Sequence, residues 1–314
     1  MLGGIITLSF FLIVGIAWRF LKPGGIGADA MQRALTGLIH WLFLPLAVFF
    51  IMRDLRLDHA ALSILLYVAG TTILALALAW LWLWKTSLPG RTKGALLIAA
   101  GFGNVLFIGI PVNKIFYPDW TMRVAVEYGL VANVLLLFTV GAVLSRSFSE
   151  GGKSNFGKAL SVLKDFRIWL NEPLVWATLL ALVLNIANVA LPAWTAGVKV
   201  SVFGTLVALL LISVGLSLRW SNEWFGQKLA DALPAAVIQL IAVPLIMWGM
   251  VSLFGSVGSK STIVLLLGSM LPASVLGFAF CERFKLDTTA YALAFTATSV
   301  LAIATVPLMG SMLL

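Results

Sequence analysis

The sequence is poor in charge, cysteine and histidine, and each shortage excludes a class of protein. Charged residues make up 11% of the 314 residues, whereas a typical soluble domain has about 25%. One cysteine, Cys281, excludes an internal disulfide and a multi-cysteine metal site. With two histidines, no His-Glu-x-x-His run and no nucleotide-binding loop, we expect neither an enzyme nor a bound cofactor or metal.

What fills the chain is apolar sequence. Hydrophobic residues reach 61% and the mean hydropathy is +1.06, which indicates an all-α polytopic membrane protein embedded in the lipid bilayer. The net charge of +9 lies in short loops between apolar runs, so we expect no nucleic-acid partner. Arg19 follows the first apolar run and no basic segment precedes it, so we interpret that run as a retained span.

Ten apolar runs are long enough to be membrane spans, and a polar loop divides them into two sets of five. The predicted spans are 3–18, 34–52, 61–84, 94–117, 121–145, 173–190, 197–217, 230–254, 261–282 and 288–312. The predicted domains are a first repeat over 1–145, a cytoplasmic loop over 146–172 and a second repeat over 173–314. An odd number of spans in each set means that the second repeat is inverted relative to the first.

The distribution of basic residues predicts the orientation. Most of the 21 Lys and Arg residues fall in the loops on one side of the predicted spans, including the central loop. Basic loops stay in the cytoplasm. We therefore expect a multi-pass protein of the cell (inner) membrane with both termini on the non-cytoplasmic side.

The fourth predicted span is interrupted by residues that break helices. Gly101, Gly103 and Gly109, with Asn104 and Pro111, lie in one run of eleven residues. Glycine costs roughly 1 kcal/mol and proline roughly 3 kcal/mol in a helix interior. Such a break inside a membrane is tolerated only when it is buried in protein or lines a cavity.

The ninth predicted span has a similar break, from Gly268 through Pro272 to Gly277. It is the fourth span of the second repeat, so the two breaks occupy corresponding places. Interrupted spans at corresponding positions of two repeats are the best sequence indication of a transporter's binding site. The sequence therefore predicts that helices 4 and 9 break at the substrate site.

These residues carry a resemblance to a known family. The motifs are Asn104-x-x-x-x-Gly109-Ile110-Pro111, Leu271-Pro272-Ala273, Ala279 to Phe284 with Asp287, Pro45, and Gly215 to Leu218. Together they resemble the auxin efflux carrier family of the bile acid/auxin transporter superfamily. The resemblance implies ten helices in two inverted five-helix repeats, crossed broken helices, and transport of organic anions. The sequence departs from the plant carriers at Gly103, where they have proline, and at Ala273, where they have an amide.

The two breaks suggest how an anion is held without a buried cation. A half-helix that starts near Gly103 is expected to be capped by Asn104, and Pro272 suits the first position of a second half-helix. Two helix N-termini attract a carboxylate through their dipoles and N–H groups. The predicted substrate-binding residues are Gly103, Asn104, Val105, Pro272, Ala273 and Ser274.

The sequence offers two candidates for ion coupling. Glu127 lies two turns into the fifth span and either reaches the interface, pairs with Arg123 or carries a proton. His40, in the second span, titrates or packs between helices. We predict a secondary active transporter (permease) of small organic anions, proton-coupled or potential-driven. A sodium-coupled symporter of the bile-acid type and a membrane-embedded enzyme are the alternatives, and a homodimer is left open.

The orientation can be tested by cysteine labelling. On a Cys281→Ser background, a membrane-impermeant thiol reagent should label Ser256→Cys in intact cells and leave Ser154→Cys unlabelled. Position 256 lies in a loop predicted to be external, and position 154 lies in the predicted cytoplasmic loop. Labelling of the second variant alone would show that the orientation is reversed.

Overall fold

The computed structural model describes residues 2–54, 59–109, 120–149, 173–217, 227–255 and 259–313, and those ranges contain helices but no β-strand. Five of its helices are long and apolar enough to cross a membrane, which is the multi-pass architecture expected from the composition. They are Ala28–Arg53, Leu62–Trp84, Thr195–Ser213, Leu229–Phe254 and Thr288–Val306. Shorter apolar helices cover Phe10–Leu21, Leu135–Ser149 and Pro173–Ile186. The count of ten spans stays a prediction.

The α-helices are numbered here in chain order. In the first half they are α1 (Leu2–Leu21), α2 (Ala28–Leu38), α3 (Leu44–Asp54), α4 (His59–Trp84), α5 (Gly90–Gly101), α6 (Trp120–Gly129) and α7 (Ala142–Ser149). In the second half they are α8 (Pro173–Ile186), α9 (Thr195–Ser217), α10 (Gln227–Val237), α11 (Val243–Phe254), α12 (Ser259–Ser269), α13 (Leu276–Arg283) and α14 (Thr288–Leu313).

Wider π-helical turns join several of these helices. The segment Ile39–Phe43 joins α2 to α3, and Ile238–Ala242 joins α10 to α11. Each ends two residues before a proline, Pro45 or Pro244. A proline has no N–H for the carbonyl four residues back. The residue just before each proline instead donates to the carbonyl five residues back, which widens the helix.

The chain divides into two compact units. One unit combines Met1–Leu57 with Asp165–Ser217, and the other combines Asp58–Lys164 with Leu218–Leu314. Each unit therefore takes helices from both predicted repeats. We call them the first unit and the second unit.

The first unit is closely packed where α1 meets α9. Gly15 and Gly215 bring the two backbones into direct contact, so that a Cβ atom on Gly215 would lie 2.9 Å from the Cα of Gly15. At the end of α1, Arg19 donates to the carbonyl of Leu216 and forms an ion pair with Asp29 at 3.3 Å. The last turn of α9 is thereby tied to α1 and to the first turn of α2.

In the first unit, the end of α3 is joined to α8 and the loop that follows α8. The Nδ2 atom of Asn185 donates to the carbonyls of Met52 and Arg53 at 3.1 and 2.5 Å. The guanidinium of Arg53 donates to the carbonyl of Val189, at 3.2 Å from Nε. Carbonyls at a helix C-terminus have no partner within the helix, so these side chains supply the missing donors.

The second unit contains both interrupted spans. Helix α14 packs against α5 and α10, and α4 packs against α5 and α11. Asp287 begins α14: its Oδ1 atom accepts the N–H groups of Thr289 and Ala290 at 3.1 and 3.0 Å. Its Oδ2 atom accepts the hydroxyl of Thr92, in the first turn of α5, at 2.9 Å. One carboxylate therefore fixes the starts of α5 and α14 together.

The contact between α1 and α9 predicts opposite effects for two glycine substitutions on the same helix. Gly215→Ala forces the backbones apart, and overpacking of this kind costs about 1–3 kcal/mol. Gly204→Ala meets no atom within 4 Å, and alanine is favoured over glycine in a helix by roughly 1 kcal/mol. We expect thermal unfolding in detergent at a lower temperature for Gly215→Ala and at an unchanged or higher temperature for Gly204→Ala. Equal stability of the two variants would contradict the close packing.

Candidate functional site

Both interrupted spans leave a short extended segment between two helical pieces. Helix α5 ends at Gly101, the backbone of Phe102 is extended, and a π-helical segment begins at Val105. Helix α12 ends at Ser269, and α13 begins at Leu276. Gly101 is required at its position because the side chain of Leu76 occupies the place of a Cβ atom, with its Cγ 2.7 Å away.

The two extended segments bind each other through the main chain. We call this paired region, residues 102–104 with residues 272–274, the crossing. The Asn104 N–H donates to the carbonyl of Pro272 at 2.7 Å, and the Ser274 N–H donates to the carbonyl of Phe102 at 2.8 Å. These bonds flank an antiparallel pairing of Gly103 with Ala273. Polar backbone groups that leave a helix inside an apolar region need internal partners. The crossing supplies them.

Buried side chains from neighbouring helices complete the crossing. The Ala273 N–H donates to Oγ1 of Thr298 at 3.1 Å, and the hydroxyl of Tyr291 donates to the carbonyl of Ser274; both side chains belong to α14. Nε2 of Gln239 donates to the carbonyl of Leu271 at 3.0 Å. The side chains of Thr298, Tyr291 and Gln239 are all buried. The crossing is therefore held by three side chains from two elements, α14 and the π-helical segment Ile238–Ala242, besides its own two segments.

The expected position of Pro272 at the start of a half-helix is wrong. Helix α13 begins four residues later, at Leu276. Pro272 lies in the extended segment, where its carbonyl accepts the N–H of Asn104. Main-chain pairing between the segments keeps Ala273 and Ser274 out of the helix, and the missing N–H of proline costs nothing in an extended segment.

Asn104 is enclosed at the crossing with its amide unpaired. The residue is 0% exposed. Among the residues that the structure describes, neither Nδ2 nor Oδ1 of Asn104 has a hydrogen-bond partner. The expected helix cap is therefore not formed, because its acceptor is the side-chain oxygen. Leaving a buried amide unsatisfied costs about 1–3 kcal/mol, so this side chain calls for a functional explanation.

The remaining predicted binding residues lie around the same pairing. The backbones of Gly103 and Ala273 form it, and Val105 follows Asn104 as the first residue of the π-helical segment. Gly109 lies against Leu271, because a Cβ atom on Gly109 would be 2.8 Å from Cδ1 of that side chain. The structure thus brings both breaks together in one unit. Pro111 lies outside the described residues.

The two coupling candidates lie in different units. Glu127 belongs to α6 in the second unit, is 6% exposed in its side chain, and forms an ion pair with Nε of Arg123 at 2.7 Å. The Arg123 side chain is 38% exposed. His40 lies in the first unit, within the π-helical segment that precedes α3, and its ring packs edge-on against Trp41.

Gln239 is a functional candidate that the sequence did not single out. It lies in the π-helical segment between α10 and α11, and it reaches the crossing through its bond to Leu271. The sequence does carry a signal, which is an amide in an apolar span five residues before Pro244. Widened turns of this kind are frequent at functional sites.

An apolar pocket lies apart from the crossing, and the described residues form no metal site. An apolar pocket of about 430 Å³ is lined by side chains of α4, α5 and α7, among them Ile73, Trp80 and Phe148, and by none of the predicted binding residues. Within the described ranges, no three His, Cys, Asp or Glu side chains are grouped so that they could hold a metal ion.

Comparison with known proteins assigns the chain to a family. The model of the family described as "membrane transport protein" matches residues 6–310, which is nearly the whole chain and includes both crossing segments. Comparison with the curated proteins gives no match.

Proposed function

Because the chain belongs to the membrane transport protein family, that of the auxin efflux carriers, we propose that it is a secondary active transporter that moves small organic anions. The family is one of membrane transporters rather than enzymes. We further propose that the chain forms two inverted five-helix repeats, that helices 4 and 9 are the broken and crossed spans, and that transport proceeds by alternating access.

The unpaired amide of Asn104 is the observation that carries this proposal. Its Nδ2 atom is a donor buried next to the main-chain pairing, and no described residue accepts its hydrogens. A carboxylate is a strong acceptor for such a donor. We propose that the substrate carboxylate binds Asn104 Nδ2 and thereby satisfies a group that the folded protein leaves unpaired.

The charge of the substrate needs a further partner, which α13 supplies. This helix begins at Leu276, two residues after Ser274 of the crossing, and the N-terminus of a helix carries about half a positive charge. Among the residues whose side-chain exposure the structure describes, no Lys or Arg is buried. The attraction for an anion therefore comes from main-chain dipoles and N–H groups, which also permits release because no full charge holds the substrate.

The burial of Asn104 supports alternating access. Because the residue is 0% exposed, a substrate reaches it only after the surrounding helices have moved. We propose that the second unit, which contains the crossing, is the part that moves with the substrate, and that the first unit is the scaffold. Proton coupling and potential drive are the coupling modes we favour; accumulation that requires sodium would indicate the bile-acid type of mechanism instead.

Two substitutions of Asn104 test the carboxylate site. Asn104→Asp places a negative charge beside the proposed carboxylate, and like charges about 4 Å apart at an effective dielectric of about 20 repel by about 4 kcal/mol. Affinity should fall by roughly a thousandfold. Asn104→Ala removes one neutral donor and should weaken binding by about tenfold or less, the effect of about 0.5–1.5 kcal/mol.

The measurement is the dissociation constant of carboxylate ligands, taken at a pH where the introduced aspartate is ionised and with thermal unfolding as a folding control. A purely structural Asn104 predicts a different order, because aspartate resembles asparagine in shape and alanine does not. If Asn104→Asp binds the carboxylate as tightly as the unaltered protein does, the anion site is elsewhere.

Glu127 is our candidate for proton coupling. It is a buried carboxylate on a helix of the second unit, and carboxylates inside a membrane are usually functional. Glu127→Gln removes the titratable group and keeps its size, so pH-driven accumulation should be lost while counterflow of substrate continues. Glu282→Gln is the control, because Glu282 is exposed at the end of α13.

His40→Gln is measured beside these variants, since His40 is the other titratable candidate. Accumulation that survives in Glu127→Gln and fails in His40→Gln would move the coupling role to the first unit.

A further inference from the structure

The side-chain amide of Gln239 contacts the crossing through its nitrogen, while its oxygen has no hydrogen-bond partner among the described residues. Gln239 is 1% exposed and lies in the π-helical segment Ile238–Ala242. Its Nε2 atom donates to the carbonyl of Leu271 at 3.0 Å. Its Oε1 atom is buried and has no hydrogen-bond partner in the part of the chain that the structure describes.

The direction of the Gln239 amide is fixed by its partner. A main-chain carbonyl only accepts hydrogen bonds, so the atom that faces Leu271 O must be Nε2. The opposite end of the amide is therefore an oxygen. It is an acceptor that lacks a donor.

Gly103 shows how closely this amide approaches the proposed carboxylate site. A Cβ atom at position 103 would lie 2.9 Å from Nε2 of Gln239, so the glutamine packs against the backbone next to Asn104. The Asn104 amide, on the residue that follows Gly103, and the Gln239 amide are both buried, and each has polar atoms without partners among the described residues. An unsatisfied buried polar group is costly, and two at one place indicate a polar ligand.

The amides of Asn104 and Gln239 bind different groups of the ligand. Nδ2 of Asn104 is a donor and suits the carboxylate oxygen. Oε1 of Gln239 is an acceptor, and a second carboxylate oxygen placed there would be repelled. What satisfies it is a hydrogen-bond donor, and a hydroxyl group is the neutral donor that an organic acid can carry beside its carboxylate.

We propose that Gln239 determines specificity by accepting a hydrogen bond from a hydroxyl group that the substrate carries beside its carboxylate. The substrate class is then the hydroxylated organic acids, in preference to the same acids without the hydroxyl. This inference rests on the proposed carboxylate site at Asn104 and adds a second contact to it. A site built to bond a substrate hydroxyl rejects the analogue that lacks one, because its buried acceptor then stays unpaired.

Matched ligand pairs test the proposal on the full-length protein. Lactate is compared with propionate, and 2-hydroxyglutarate with glutarate, by the dissociation constants for the purified protein in detergent. The unaltered protein should bind each hydroxylated acid at least about tenfold more tightly than its partner, which is the effect of one hydrogen bond.

Gln239→Met is the variant that decides, because methionine keeps the length of the side chain and lacks the carbonyl oxygen. The preference for the hydroxylated acid should fall to about onefold, while propionate and glutarate keep their affinity to within a few fold. Loss of the bond to Leu271 changes both members of a pair alike, so the ratio of the two constants isolates the hydroxyl contact. Thermal unfolding shows whether the variant is folded.

Three outcomes would overturn the proposal. The first is equal binding within each pair by the unaltered protein, and the second is a preference that persists in Gln239→Met. The third is a sodium-dependent affinity, equal for both acids, that Gln239→Met abolishes, because Oε1 would then bind a cation. In each case Asn104→Asp is measured in parallel: if it still abolishes binding of both acids, the carboxylate site stands and only the role of Gln239 falls.

Discussion

Two main-chain hydrogen bonds hold the second unit in the arrangement on which everything else depends. They join Asn104 to Pro272 and Ser274 to Phe102 at 2.7 and 2.8 Å. Without them, two interrupted helices would leave backbone N–H and C=O groups without partners in apolar surroundings, at several kcal/mol each. Because the segments satisfy each other, the breaks are stable, and the chain can place irregular backbone inside the unit.

Because the main-chain groups of the two segments bond to each other, polar side chains at the crossing remain available to bind a ligand. The backbone at the crossing is paired by its own two segments and by Thr298, and the side chain of Asn104 takes no part in that pairing within the described residues. Gln239 uses only its nitrogen to hold Leu271. In the part of the chain that the structure describes, both amide atoms of Asn104 and the Oε1 atom of Gln239 consequently remain buried without partners, in a family of membrane transporters. A site without a fixed charge suits a carrier, since the substrate must leave as readily as it binds.

Composition and residue type predicted the all-helical membrane architecture, and they directed attention to the two segments that pair at Gly103 and Ala273; that these are the broken helices 4 and 9 stays a prediction. Those features depend on properties of short stretches of sequence. Examples are the free-energy cost of a glycine such as Gly101 in a helix interior and the preference of long hydrophobic runs for the bilayer over water. The role of Pro272 was predicted wrongly, because the helix start was shifted to Leu276 by pairing with a segment far away in sequence. Gln239 was not singled out from the sequence for the same reason: its contact with the crossing depends on tertiary structure, and the sequence shows only a polar residue before Pro244.

The central claim is that a substrate carboxylate satisfies the amide of Asn104 at the crossing. A cryo-electron microscopy structure of the protein with a saturating carboxylate ligand tests it most directly. We expect a carboxylate oxygen within hydrogen-bond distance of Nδ2 of Asn104, close to the pairing of Gly103 with Ala273. A ligand bound elsewhere, for example in the apolar pocket beside Trp80, with the Asn104 amide still unpaired, would contradict it.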